Sequence, residues 1–450
     1  MECCCGGGRM PSNKNYLGID VYTAAKKRIE FIFDEFEKVI VSFSGGKDSG
    51  VVLNMAIDEA RKRRRKIGVI FIDLEAFYQK TIDYVERMFK NNEDVLEPMW
   101  VCLPMESPNS LSFLEPTWIW WEPEKEPIWV RPMPKNKWVI NLENNPFDFY
   151  FRNMPFETFV QKFAIWYGQG KKTASLIGIR TTESLNRYRA IMTDKETYKD
   201  QKYSTKLDEN TWNFYPIYDW TVPDIWTYYG KFNKDYNRLY DLFYKAGVSI
   251  YKMRVDEPFG NEAKAGLNLF RVIEPETWKR VVNRVSGANF GNIYHGSKMM
   301  SSRFKLPKNH TWKSFTKFLL NTLPKSTRDI YMEKFVKFVK YWWKVGSPMP
   351  DEYIEILENK YSKYIINTKK FSKRGKGDKY VIKFKRIVDE IPELDTKTDV
   401  CTWHRLALTI LKNDIVGKSL SFQMTKAMKV RQQELMKKYE SLKKEGDKYE

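Results

Sequence analysis

The run Ser44-Gly45-Gly46-Lys47-Asp48-Ser49 holds the residue types from which a phosphate site is built. Two glycines let the backbone turn its N–H groups towards a ligand. Lys47, read as facing solvent in the loop, adds a full positive charge, and the start of a helix adds a partial one. The Walker spacing, with four residues between a glycine and Gly-Lys-Ser/Thr, is absent, as is Gly-x-Gly-x-x-Gly. A second charged group stands in SLIGIRTTESLNRYR, residues 175–189. There Arg180, at a strand end, could hold a phosphate or sulfate bidentately, while Glu183 orients Arg187 one helical turn on. The same spacing suits an ordinary ion pair on a solvated helix start. Asp73 and Glu75 close another apolar run, where a carboxylate could receive Mg²⁺ or a ribose hydroxyl, or simply cap a helix. Cys401 and His404 sit three apart in DVCTWHRLALTIL, but the leucines and isoleucine around them mark a helix with an apolar face. That context makes Cys401 a buried structural thiol rather than an activated one. A zinc site would need two more ligands from Cys102, Cys3–Cys5, His295 and His310, and none is expected.

The elements that must position these residues follow from periodicity. Residues 21–37 form an amphipathic helix, and Val39–Phe43 a buried strand. A helix then opens near Asp48 or Ser49, both good caps, with Val51, Val52, Met55, Ala56 and Ala60 at helical spacing. Strands at 68–78 and 99–103 flank a helix at 79–91. This βαβαβ order implies an α/β fold, a parallel sheet with helices on both faces and ligands at the carboxyl ends of the strands. Residues 111–155 break the pattern as an insertion over those ends. Its stretch 116–138 mixes Trp118, Trp120, Trp121, Trp129 and Trp138 with prolines and Arg131, either a hydrophobic lid or a platform that stacks a base. A helix at 156–168 and a strand at 173–179 resume the domain. In NFYPIYDWTVPDIWTYY, residues 213–229, Pro223 suits a first helical turn with Thr221 capping ahead of it.

After about residue 235 the strands stop, and helices are expected at 234–246, 275–286, 311–322, 326–345, 402–412 and 422–442, with a Lys/Gly-rich loop at 371–380. The organisation read from this is a flexible tail at 1–18, an α/β domain with the phosphate loop at 19–244 and a mostly helical basic domain at 245–450.

Ser44–Ser49 closely resembles the PP-loop of the ATP pyrophosphatase superfamily. The segments at 178–187 and 216–229 resemble the G-x-R-x-x-E-S-x-x-R and P-x-x-D-W-x-x-x-D-[IV]-W-x-Y signatures of relatives of phosphoadenosine phosphosulfate (PAPS) reductases. With HTWKSFTKFLLNTLP and TWHRLALTILKND, most of the chain is similar to an uncharacterised subfamily that includes phage and prophage proteins and immunoglobulin-binding regulators, often encoded beside a ParB-like partner. The resemblance implies an adenine-nucleotide α-hydrolase-like sheet. It implies nucleotide contacts from Ser44, Gly45, Gly46, Lys47, Asp48, Ser49, Asp73, Glu75, Gly178, Arg180 and Glu183. Catalytic roles would fall to Lys47, Asp48, Arg180 and Arg187, and Mg²⁺ to Asp48 and Asp73. The ligand would be ATP or PAPS. The reductases' Glu-Cys-Gly-x-His segment and the paired cysteines of an iron–sulfur site are both missing, which disfavours reduction. The expected reaction is cleavage of ATP between its α- and β-phosphates to adenylylate a substrate. The alternatives are a PAPS- or adenylylsulfate-binding enzyme without the usual cysteine, and a nucleotide-sensing regulator without turnover.

A chain of 450 residues exceeds what one core usually supports. Mean hydropathy is low, −0.57, but 15% aromatics argue for a folded chain. No stretch is long and apolar enough for a membrane span, and the N-terminus lacks an apolar signal core, so a cytoplasmic, reduced protein is expected. The net charge of +20 is lopsided: residues 301–450 hold 34 Lys and Arg against 18 Asp and Glu. That half suits DNA or RNA, or is a solubilising surface.

Overall fold

A computed structural model of the chain describes residues 18–112, 115–192, 195–260, 267–285, 306–371, 380–394, 400–415 and 417–420. The tail to residue 17 with Cys3–Cys5, His295, most of the 371–380 loop and the helix expected at 422–442 lie outside these residues. The chain divides into two compact units. One holds the residues up to Ser107, Ile119–Pro258 and Asn268–Arg284; the other holds Pro108–Trp118, Phe259–Leu267 and Val285 onward.

In the first unit, helix α1 (Val21–Glu35) is started by Asp20, whose carboxylate accepts the Thr23 N–H at 2.9 Å. It buries Ala24, Ala25, Ile29, Ile32 and Phe33 at spacings of three and four. Strand β1 (Lys38–Ser42) leads into α2 (Lys47–Lys62), then β2 (Ile67–Ile72), α3 (Gln79–Lys90) and β3 (Leu96–Val101). Short strands β4 (Met105–Pro108), β5 (Thr117–Trp120), β6 (Val139–Ile140) and β7 (Met154–Pro155) precede α4 (Phe156–Gly168) and β8 (Thr173–Ile177). Helix α5 (Leu185–Met192), β9 (Ser204–Lys206), β10 (Thr211–Phe214), α6 (Val222–Lys231), α7 (Leu239–Lys245), α8 (Leu267–Ile273) and α9 (Pro275–Arg284) follow.

The main sheet runs β6-β3-β2-β1-β8-β10-β9, parallel except for β9. Val41 pairs with Val69 on one side and with Leu176 on the other. The chain moves outward from β1 through β2 and β3, then returns to place β8 on the opposite side of β1. The crevice at the carboxyl ends of β1 and β8 is therefore a topological switch point, where ligands of such sheets bind.

Strand β2 stops at Ile72 rather than Tyr78, because the Asp73 carboxylate accepts the Glu75 N–H at 3.0 Å and Glu75 takes a φ of +61°, which ends the pleat. Strand β3 is likewise displaced towards Leu96, paired residue by residue with β2. The 111–155 insertion is not only a cover, since β6 adds to the sheet edge beside Trp100 and Val101 and β7 pairs with β4. Trp118, Trp120 and Trp121 are buried, which is the hydrophobic reading of this insertion and leaves those indoles no face for a base. Arg131 is buried too.

The second unit contains α10 (Trp312–Thr322), α11 (Lys325–Lys344), α12 (Asp351–Tyr361) and α13 (Trp403–Leu411). The expectation that strands cease after residue 235 is corrected by a three-stranded antiparallel sheet of β11 (Ser347–Pro348), β13 (Tyr380–Phe384) and β12 (Ile365–Phe371), in the order β11-β13-β12. Strand β12 carries Asn367, Thr368, Lys369 and Lys370 and buries only Ile365, so it lacks the apolar alternation that marks a strand. The core of this unit gathers Leu320, Tyr331, Phe338, Trp342, Leu357, Ile382, Phe384, Cys401, Leu406 and Ile410.

Candidate functional site

Strand β1 delivers Ser44 to the switch point. Gly45 then turns with a φ of +70°, and a Cβ there would lie 2.7 Å from Thr81 Cγ2, so only glycine fits. Asn237 fastens the turn by donating to the Gly45 carbonyl at 2.9 Å and to Thr81 Oγ1 at 3.0 Å. Helix α2 begins one residue before Asp48. Its cap is Gly46, which has no side chain to offer a cap bond, and the Ser49 hydroxyl lies within bonding distance of Ser44 N (3.2 Å), Ser44 Oγ (3.0 Å) and the Gly46 carbonyl (3.2 Å). Among the described residues, the amides of Gly45, Gly46, Asp48 and Ser49 have no protein acceptor. Four free donors at an uncapped helix start form an anion cradle.

Gly178, after β8, closes the other wall. A Cβ on it would meet Ser49 Cα at 2.6 Å and Ser49 N at 2.7 Å, so the two loops touch backbone to backbone. Arg180, 2% exposed, pairs through Nε with the Asp48 carboxylate and donates to Thr182 Oγ1 at 2.9 Å. Glu183 pairs with Arg187, as its spacing implies, and Arg254 reaches the Glu183 carbonyl at 3.2 Å and its carboxylate at 3.6 Å.

Lys47 is not solvent-facing. It is 5% exposed, with Nζ 3.3 Å from the Met253 carbonyl, 3.1 Å from Asp48 Oδ2 and over the Tyr240 ring. Its N–H donates to the Tyr240 hydroxyl at 3.0 Å, and its carbonyl accepts from the Tyr229 hydroxyl at 2.7 Å. Burial pushes both phenols well above their ordinary range, so they stay protonated.

Asp73 and Glu75 stand at the end of β2 but bond elsewhere. Asp73 accepts from Trp100 Nε1 at 2.8 Å and pairs with Arg131. Glu75 accepts from the N–H groups of Trp121 (2.8 Å) and Val130 (3.1 Å) and from Arg284 at 2.7 and 3.1 Å. Both are fully buried, and these bonds tie the insertion to the sheet. Asp48 is the carboxylate beside the loop. Among the described residues no group of three or more His, Cys, Asp or Glu is placed to hold a metal. Mg²⁺ commonly needs only one or two carboxylates when phosphates supply the rest.

In the second unit, burial pushes the Cys401 thiol up to about 12, so it is not a thiolate nucleophile at neutral pH. The His404 ring lies against Trp312, centroids 4.1 Å apart and tilted by 35°, and its Nδ1 is 3.3 Å from the Glu390 carboxylate. Sequence reasoning missed Thr81, Asn237, Tyr240, Met253 and Arg254. The aromatic run that holds Tyr229 carries the family-like signature and a helix start, where Thr221 and Asp224 form a capping box, but neither marks Tyr229 as a partner of the loop.

Residues 38–246 match the family described as the phosphoadenosine phosphosulfate reductase domain, and residues 247–431 match a domain of unknown function, DUF3440. The chain is 36% identical over 418 residues to the uncharacterized protein YbdN of Escherichia coli (strain K12), covering 91% of this chain and 92% of YbdN. Among solved structures, a PAPS reductase from Candida auris in a phosphate complex is similar at 15% identity and a TM-score of 0.29, over 49% of this chain and 84% of that one. An FMN adenylyltransferase of Candida glabrata with ATP follows at 18% and 0.28, over 49% and 57%. The NH3-dependent NAD synthetase of Campylobacter jejuni is similar at 14% and 0.27, over 64% and 100%.

Proposed function

Because the chain belongs to the family of YbdN, with a PAPS reductase domain of the PP-loop superfamily at residues 38–246, we propose that it cleaves ATP between the α- and β-phosphates and adenylylates a substrate. The observation that carries this reading is the set of unbonded amides at Gly45, Gly46, Asp48 and Ser49 around Lys47. A pyrophosphate group would take these donors, and Lys47 would exchange the Met253 carbonyl for phosphate oxygen. Arg180 would lie towards the α-phosphate, with Arg187 and Arg254 on the substrate side. Catalysis would be positioning and charge neutralisation as the leaving pyrophosphate gains charge. Mg²⁺ would arrive with the nucleotide, held by phosphates and Asp48, and would share that neutralisation. Asp73 and Glu75 would support the site from behind.

The acceptor is an anionic macromolecule in this reading, nucleic acid being favoured by the positive charge of residues 301–450. A ParB-like protein is the other occupant of that region. No helix among the described residues is long and apolar enough to cross a membrane, and a cytoplasmic setting is part of the proposal.

The test is calorimetric titration with ATP, AMP, PAPS and adenylylsulfate, joined to product analysis. AMP and pyrophosphate from ATP support the reading. Tight PAPS binding without ATP turnover supports the sulfur-nucleotide alternative, and ATP binding without products supports a sensor.

A further inference from the structure

Helix α11 buries Thr327, Tyr331, Phe335, Phe338 and Trp342, and this spacing defines its inner face. At about 100° per residue, the opposite arc centres on Lys340, with Lys344 one turn further on; both are exposed. On one flank Met332, Val336 and Trp343 form a ridge, and Trp343 is 60% exposed although it is among the largest side chains of the protein. On the other flank stands Tyr341, 38% exposed. The acidic groups on this arc are Asp329 and Glu333, and Glu333 is paired with Lys337. Among the described residues Lys340 and Lys344 have no carboxylate partner, and they run between two aromatic rings open to solvent. The buried tryptophans of the 116–138 stretch cannot serve this purpose.

We propose that the outer arc of α11 binds single-stranded nucleic acid, Lys340 and Lys344 following the phosphates while Trp343 and Tyr341 stack on bases. Lys340 and Lys344 are about 6 Å apart along the axis, and bases offer both ring faces only when unpaired. A lipid surface is a poorer fit, because three apolar residues interrupted by Lys340 give little area to insert. The inference rests on the acceptor class proposed above and not on the nucleotide chemistry.

The experiment titrates the full chain with a labelled 20-nucleotide single strand and its duplex at two salt concentrations. Trp343→Ala should weaken single-strand binding roughly tenfold with little change in salt slope, and Trp343→Phe should restore most of it. Lys340→Ala with Lys344→Ala should lower the slope by about 1.4 log units per log unit of salt. Unchanged single-strand affinity in both variants would overturn the assignment of this face while leaving the acceptor class standing. Equal duplex affinity insensitive to Trp343→Ala, or tighter binding to poly-glutamate or anionic vesicles, would overturn the stacking site. Absence of oligonucleotide binding at low salt would overturn it together with the acceptor class. Absence of AMP and pyrophosphate formation while these effects persist would sink only the adenylylation reading.

Discussion

The Tyr240 hydroxyl accepts the backbone N–H of Lys47 at 3.0 Å across 193 positions of chain. It occupies the Lys47 amide, while the neighbouring amides of Gly46 and Asp48 have no acceptor among the described residues. If phosphate replaces it, Tyr240→Phe should cost about 1 kcal/mol without ligand, since a buried donor loses its partner. Saturating ATP should recover that loss. Thermal melts of both proteins with and without ATP check this: the ATP-induced rise should be larger in the variant, and equal rises would count against the exchange.

Lys47→Ala should weaken triphosphate binding by about 1.5–3 kcal/mol, the range of a charge-assisted hydrogen bond. Arg180 still pairs with Asp48 in that variant, so the fold should survive. Calorimetry on a protein with a wild-type circular dichroism spectrum decides it. Unchanged affinity would remove the loop as the site.

Gly178→Ala places a Cβ against the Ser49 backbone and should destabilise the protein by about 1–3 kcal/mol, with loss of nucleotide affinity. Gly230→Ala is the matched control. A Cβ there meets open space within α6, so a gain of up to about 1 kcal/mol is expected. Urea titrations of both would read the difference in sign.

Arg284→Ala should cost about 3–5 kcal/mol, because it leaves the Glu75 carboxylate buried without its cation. Among molecules that remain folded, ATP affinity should stay near wild type. A loss of affinity far exceeding the loss of stability would place Glu75 at the ligand after all.

Cys401→Ser should leave nucleotide turnover intact, and in the native wild type the Cys401 thiol should react slowly with alkylating reagents. The physical ground is a thiol pushed up to about 12 by burial, beside a His404 whose imidazolium burial disfavours. A PAPS-dependent sulfite signal that vanishes in the variant would bring back the reductase reading.

The site was legible where its residues are neighbours in sequence. Ser44–Ser49 lie on one turn, and Glu183 and Arg187 form the ion pair their spacing implies. The pairing of Arg180 with Asp48 depends on β8 lying beside β1, an order that no local pattern gives. What could not be read are the partners brought from far away. Nothing in the sequence marks Lys47 as buried, because Met253 and Tyr240, which cover it, carry no motif. Asp73 and Glu75 fall just past a strand end, as the apolar run before them implies, yet Arg131, Trp121 and Arg284 that bind them come from the insertion and from α9. The sheet of the second unit was missed for a different reason: β12 presents lysine and asparagine where an apolar face is the usual signal.

The bond between Lys47 Nζ and the Met253 carbonyl spans 206 residues, and this span has a consequence for biosynthesis. A nascent chain still held at the ribosome before Asn237 emerges has the glycine turn but lacks the amide that clamps Gly45, the phenol that takes the Lys47 N–H and the carbonyl that receives its ammonium group. Nucleotide capture during translation should therefore begin late, only after Arg254 has cleared the exit tunnel, and chains stalled earlier should fail to be retained on immobilised ATP.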